Sequence, residues 1–164
     1  MTSTDTQDDG TTKVAELLKD SRIAMFTTRA PDGTLVSRPM AVQEVEFDGD
    51  LWFFADGGSR KAAHVAVDPQ VNVTVGSGSS WVSFTGAAVV VRDDAKKREL
   101  WNSAVEAWFP DGPDAAHVVL LRVAGLSAES WDTPGGRVAS LLSFVKAKAT
   151  GEPYSGGENE TVQL

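Results

Sequence analysis

The sequence predicts a mainly β domain, an antiparallel barrel with a few helices around it. Short runs rich in β-branched and aromatic residues recur along the chain, as at Ile23–Thr28, Leu51–Phe54 and Val71–Val75. Consecutive runs are joined by tight-turn sequences such as Pro31-Asp32-Gly33 and Asp48-Gly49-Asp50, which make hairpins. The one Gly-rich segment lacks the spaced-glycine dinucleotide fingerprint, so a doubly wound parallel sheet is a poor fit.

Residues 1–11 are rich in Thr, Ser, Asp and Gly and read as a disordered acidic tail. A helix is expected over Lys13–Lys19, with Val14, Leu17 and Leu18 on one face. Ile23–Thr28 and Thr34–Gln43 form the arms of a hairpin around Pro31-Asp32-Gly33. Val45 and Phe47 lead into the turn at Asp48-Gly49-Asp50, and Leu51–Phe54 is the next strand. A short helix at Arg60–Val67 stops before Pro69, because proline disfavours helix in the residue before it. Val71–Val75 alternates as a strand does, and Trp81–Val91 is a long β run with a bulge expected at Gly86. Asp93–Phe109 reads as one helix with Leu100, Trp101, Val105 and Trp108 on its apolar face, ended by Pro110–Pro113. Val118–Val123 is a strand with room to continue to Trp131, and Arg137–Lys148 is an amphipathic helix. The expected organisation is one domain over residues 12–149, with a flexible acidic tail at residues 150–164.

Composition narrows the function. The 164 residues, 41% of them apolar, suit one domain with a sizeable core. The absence of cysteine excludes disulfides, thiolate metal sites and a cysteine nucleophile, and fits a reducing, cytoplasmic compartment. The polar, acidic start is not a signal peptide, and no apolar run approaches the length of a membrane span. Most of the net charge of −8 comes from Asp5, Asp8 and Asp9 in the first tail and Glu152, Glu158 and Glu160 in the last. An acidic chain is a poor partner for nucleic acid. It also makes a local group of cations worth explaining.

That group lies around Leu51–Pro69. An aromatic strand runs through Ala55-Asp56-Gly57-Gly58 into Ser59-Arg60-Lys61, which opens a helix. A helix start offers unpaired N–H groups and partial positive charge to a phosphate. Ser59 can cap the helix or donate to an oxygen, and Arg60 and Lys61 add charge. The plain alternative is a surface strand–turn–helix with a capping serine and two solvated cations. Arg38, in Ser37-Arg38-Pro39-Met40-Ala41-Val42, is a further candidate for bidentate phosphate contact. Pro39 breaks ladder pairing beside it and frees backbone groups for a planar ligand, unless this is simply an edge strand with a surface arginine. No catalytic constellation accompanies these residues. His64 and His117 sit in no metal-ligand spacing, and Ser83 lacks a nucleophile elbow, so any reaction falls to a cofactor. Trp52 and Trp101 read as packing residues, and Trp108-Phe109-Pro110 as an apolar cluster suited to a dimer contact.

Taken together, these segments resemble a family. Ser59-Arg60-Lys61-Ala62 after an aromatic strand, with Ser37-Arg38-Pro39-Met40-Ala41-Val42 on the preceding strand, is similar to the FMN phosphate motif of pyridoxamine 5′-phosphate oxidases. Trp81-Val82-Ser83-Phe84-Thr85-Gly86, Trp108-Phe109-Pro110-Asp111-Gly112-Pro113-Asp114 and Ala128-Glu129-Ser130-Trp131-Asp132 resemble its general stress protein branch more closely. The resemblance spans residues 13–149 and implies an antiparallel six-stranded split β-barrel, mainly β with flanking helices. It further implies a homodimer with FMN in a cleft between subunits. On that basis Arg38, Ser59, Arg60 and Lys61 hold the phosphate, while Pro39, Met40 and Ala41 contact the isoalloxazine ring. Gln43 stands where the oxidases have a lysine, and Phe54 and Ala55 match a tyrosine–threonine pair lining the site. Trp81 stands near an oxidase glutamine, and Trp131 near a tryptophan contributed by the partner.

One departure bears on activity. The oxidases carry an Arg-x-His cluster for the substrate after the last tryptophan, whereas here Arg137 is followed by Val138, Ala139, Ser140 and Leu141. Apolar side chains cannot neutralise a substrate phosphate. The resemblance therefore implies a flavin-dependent oxidoreductase without vitamin B6 oxidation, or a flavin carrier or stress-related sensor, with FAD or F420 as alternative cofactors. The long anionic tail of F420 calls for more basic residues than this acidic body offers.

Overall fold

The computed structural model describes residues 15–16, 22–43, 48–132 and 158–163. Six antiparallel strands form a curled, split half-barrel in the order β2-β1-β4-β5-β6-β3. They are β1 (Ile23–Arg29), β2 (Leu35–Ala41), β3 (Asp50–Asp56), β4 (Gln70–Ser77), β5 (Ser80–Val91) and β6 (Val118–Asp132). The expected strands are present, with β6 running through to Asp132; the β1–β2 register continues past Pro39 without the expected break, and Val45 and Phe47 lie outside the described residues. The turn before β2 is closed by Gly33 at φ 87° and by Asp32 Oδ1 accepting from the Thr34 N–H at 2.9 Å.

The curl buries inward residues from each of these six strands. Phe26, Phe53, Phe84, Val73, Val82, Leu121 and Val123 fill it, and Phe26 meets Phe53 edge-on at 5.2 Å between ring centroids. Helix α1 (Arg60–Val67) covers part of this interior with Val65. On the opposite face of β3 and β6, a second cluster joins Phe54, Val118 and Leu120 to Leu100 and Val105 of the following helices.

The helix expected over Asp93–Phe109 is in fact two, α2 (Asp94–Leu100) and α3 (Ser103–Trp108). Asn102 ends the first by capping the second: its Oδ1 accepts from the Ala104 and Val105 N–H groups at 3.0 and 3.1 Å. A short polar side chain competes with the helix for backbone donors, and here it wins. The break turns Trp101 onto Phe54, edge-on at 5.4 Å.

Glu158–Gln163 forms a further strand, β7, on β6, within the stretch composition assigned to a flexible tail. Its place has a physical reason. β3 pairs only with Val118–Ala124 of the long β6, and β7 pairs with Ser127–Asp132, so the remaining edge does not stay open. Of the helix expected over Lys13–Lys19, Ala15 and Glu16 are described and are helical; the helix expected over Arg137–Lys148 lies outside the described residues.

The bulge expected at Gly86 is present and does positional work. Thr85 pairs with Ser127 and Gly86 with Gly125, which leaves Leu126 unpaired. Val119, Leu121 and Val123 point inward before it, and Ala128 and Ser130 after it. This one-residue slip puts Glu129 and Trp131 on the outward face. A Cβ at Gly86 would lie 2.5 Å from the Ala124 carbonyl oxygen and 2.7 Å from Val123 Cγ1. Gly86→Ala is therefore expected to cost about 1–3 kcal/mol, read as a lower midpoint in thermal or urea unfolding; an unchanged midpoint contradicts this close approach. Ser59 caps α1, its Oγ accepting from the Ala62 N–H, so Ser59→Ala is expected to cost about 1 kcal/mol in the same assay.

Candidate functional site

The strand-to-helix corner after β3 is built by its own hydrogen bonds. The Gly57 N–H donates to the His117 carbonyl at 2.7 Å, and the Gly58 N–H to Asp56 Oδ1 at 2.7 Å. Neither glycine donor is left for a ligand, contrary to the simplest reading of a Gly-Gly phosphate loop. Gly57 is bare for packing: a Cβ there would lie 3.1 Å from both Arg92 Nη2 and Val119 Cγ1. Ser59 donates its hydroxyl hydrogen to the Asp56 carbonyl at 2.6 Å while capping α1. The first turn of α1 holds no acidic residue, and Arg60 and Lys61 present its leading N–H groups.

Arg38 reaches the same corner from β2. Side chains alternate along that strand, so Val36, Arg38 and Met40 face inward and Leu35, Ser37 and Pro39 face out. The Arg38 guanidinium is part-buried; Nη1 donates to Thr28 Oγ1 at 2.7 Å and to the Phe26 carbonyl at 3.3 Å. Burial lowers the pKa of Arg38, and the charge of Arg60 lowers it further. Burial also lowers that of Lys61, aided by Arg38 and opposed by Asp56. Arg38, Arg60 and Lys61 thus share one electrostatic neighbourhood.

None of the three makes an ion pair among the described residues. Of the other described cations, Arg29, Lys96, Lys97, Arg98 and Arg122 each take a carboxylate, at distances from 2.6 Å (Arg98–Asp114) to 3.7 Å (Arg122–Asp50), whereas Arg92 donates to the Ala116 carbonyl at 3.1 Å. Like charges in one neighbourhood, two of them (Arg38 and Lys61) partly desolvated and none in an ion pair, suit an anion.

The other expected residues are placed variously. Pro39 is exposed, Ala41 half-buried and Met40 part of the core beside Ala55. Gln43 is buried; its Nε2 donates to the Ala41 carbonyl at 3.3 Å and its Oε1 accepts from Asn102 Nδ2 at 3.1 Å. Phe54 points to the far side of β3, against Trp101 and Phe109, and so is not brought to the cations. Trp81 and Trp131 face each other across β5 and β6 on the outward side of the sheet, 53% and 36% exposed. The Trp81 ring lies over Gly76, in the space a Cβ would need. Arg38 on β2 feels the charge of Arg60 and Lys61 that of Arg38, Ser59 precedes both at the start of α1, and Trp81 and Trp131 lie on the outward face of the sheet.

One pairing beside Arg38 escaped the sequence reading, which weighed His64 only against a metal-ligand role. Thr28 and His64 are buried, and Thr28 Oγ1 lies 2.9 Å from His64 Nδ1. Alternation carried the signal for Thr28, which shares the inward face of β1 with Ala24 and Phe26 and so needs a polar partner there. Among the described residues no group of His, Asp and Glu converges as a metal site, and no helix is long and apolar enough to cross a membrane.

Comparison with known proteins finds the same fold and a family. Solved structures with the same fold include a general stress protein 26 assigned in Jannaschia sp. CCS1, 28% identical, with a TM-score of 0.74 over 96% of this chain and 99% of the other. A general stress FMN/FAD binding protein from Xanthomonas citri is 26% identical, with a TM-score of 0.66 over 76% of this chain and 89% of the other. A protein from Clostridium acetobutylicum related to general stress protein 26 shares the fold at 14% identity, TM-score 0.71, over 96% of each chain. No curated protein matches the sequence. The model of the family described as pyridoxamine 5′-phosphate oxidase like matches residues 9–155, so the chain, with its curled six-stranded sheet and its cations at the β3–α1 corner, belongs to that family.

Proposed function

We propose that this protein binds FMN as a homodimer and acts as a flavin-dependent oxidoreductase without pyridoxamine phosphate oxidase activity. The observation that carries the reading is the group Arg38, Arg60 and Lys61, in which Arg38 feels the charge of Arg60 and Lys61 that of Arg38, with no ion pair to any of them among the described residues. A phosphate dianion neutralises what the fold leaves uncompensated, and the open N–H groups of α1 point the same way. Ser59 joins the set by turning its hydroxyl hydrogen away from the Asp56 carbonyl. The similarity to a neighbour named as FMN/FAD binding supports flavin over other phosphate esters. FMN suits the compact cation group better than F420, whose long anionic tail demands more charge.

Pro39 and Ala41 offer strand-edge contacts to a flat ring near Arg38, and the buried Gln43 orients the backbone carbonyl of Ala41. A bound flavin supplies the hydride and electron chemistry that the side chains lack. The outward sheet face carries exposed Ile23, Met25, Trp81 and Trp131, an apolar set better buried than left in water. A second copy docking there covers that set and brings its Trp131 toward the ring, reconciling residues that one chain holds on opposite faces. One observation favours a carrier as the second reading: the nearby His64 is buried and bonded to Thr28, so it presents no acid or base to a substrate.

Three outcomes test the reading. Arg38→Ala with Lys61→Ala is expected to weaken FMN at least about a hundredfold in fluorescence-quenching titrations, since each charge-assisted bond contributes about 1.5–3 kcal/mol, and to spare riboflavin. Equal losses for both ligands would show that these cations do not read phosphate. Because the pKa of Lys61 lies below the ordinary lysine value of 10.5, it loses its proton earlier as pH rises. The preference for FMN over riboflavin is therefore expected to decline before pH 10.5, a ratio that cancels titration of the shared ring. NAD(P)H without oxygen is expected to bleach the bound flavin; an unbleached flavin selects the carrier.

A further inference from the structure

We propose that Thr28 and His64 are positioning residues that hold Arg38 for phosphate, and so set the preference for a phosphorylated flavin; this rests on the phosphate reading above. Three elements meet in one hydrogen-bonded line: Arg38 Nη1 on β2, Thr28 Oγ1 on β1 at 2.7 Å, and His64 Nδ1 on α1 a further 2.9 Å on. Thr28 is 1% exposed and His64 7%, so water does not substitute for either partner.

Proton inventory gives the line a direction. A guanidinium only donates, so the Thr28 oxygen accepts from Arg38. The single Thr28 hydrogen is then satisfied by donation to His64 Nδ1, which places the histidine proton on Nε2. If Nδ1 carried the proton instead, both neighbours would donate to the hydroxyl, and its own hydrogen would be buried without an acceptor. The line also spans the site. His64 lies on the same helix as Arg60 and Lys61, so its bond to β1 fixes the helix cations relative to Arg38. Groups that repel one another are held together by hydrogen-bonded side chains behind them, leaving their charge directed at a ligand.

The test compares FMN and riboflavin binding in each variant. Thr28→Val keeps shape and β-branching but loses the hydroxyl; it is expected to weaken FMN about tenfold and leave riboflavin unchanged, the range for a lost bond to a charged group. Thr28→Ser restores the hydroxyl and is expected to restore FMN affinity. His64→Leu is expected to behave as Thr28→Val does, and His64→Asn, with an amide oxygen in place of Nδ1, to retain most of the preference. The ratio is read within one protein, so partial unfolding, which lowers both affinities, does not imitate the result. Native FMN affinity in Thr28→Val beside a selective loss in Arg38→Ala overturns the positioning role and leaves the phosphate reading intact. Equal loss of both ligands in Thr28→Val marks a merely structural residue and also overturns it. No FMN preference in the unaltered protein removes both readings.

Discussion

Partial burial of Arg38 and Lys61, with like charge beside each, is the constraint on which the proposed site depends. Arg38 and Lys61 lose hydration to burial while Arg60 stands exposed beside them, and the chain holds acidic residues enough to neutralise all three. Elsewhere on the described surface that is what happens, as at Arg98–Asp114 and Lys96–Glu99. At the β3–α1 corner the nearest acidic influence, Asp56, is committed to the Gly58 N–H and acts on Lys61 only through its field. A fold that keeps cations together without a counter-ion holds a deficit that an anion removes.

Sheet geometry then decides what else belongs to the site. Arg38 faces into the curl, because β2 alternates and Met40 shares its face. Trp131 faces outward, because the bulge at Leu126 reverses the parity of β6. One protomer therefore cannot bring these residues to the same ligand. On the proposed reading, the exposed apolar side of one copy meets the cationic corner of another. Such a division also explains why a chain this size leaves tryptophans in contact with solvent.

Much of this was legible in the residues. Turn chemistry at Asp32-Gly33, alternation in Val71–Val75 and the stop before Pro69 gave strands and helix close to their observed limits. The strand-to-helix corner was legible because a serine ahead of a helix satisfies one of its free N–H groups, as Ser59 does. What escaped were features decided by competition or by distant pairing. Asn102 looks like any polar helix residue until its side chain outbids the backbone. The Gly57 donor looks free until β6 brings the His117 carbonyl to it. β7 follows from the length of β6 beyond its partner β3, which no local pattern in Glu158–Gln163 reveals.

The proton affinity of a single lysine reports on the whole account. With the Lys61 ammonium followed by NMR in the ligand-free protein, its pKa is expected below the ordinary value of 10.5, moving upward when FMN is added and staying put with riboflavin. An ordinary value that neither ligand alters would contradict a desolvated, unneutralised cation group awaiting a phosphate.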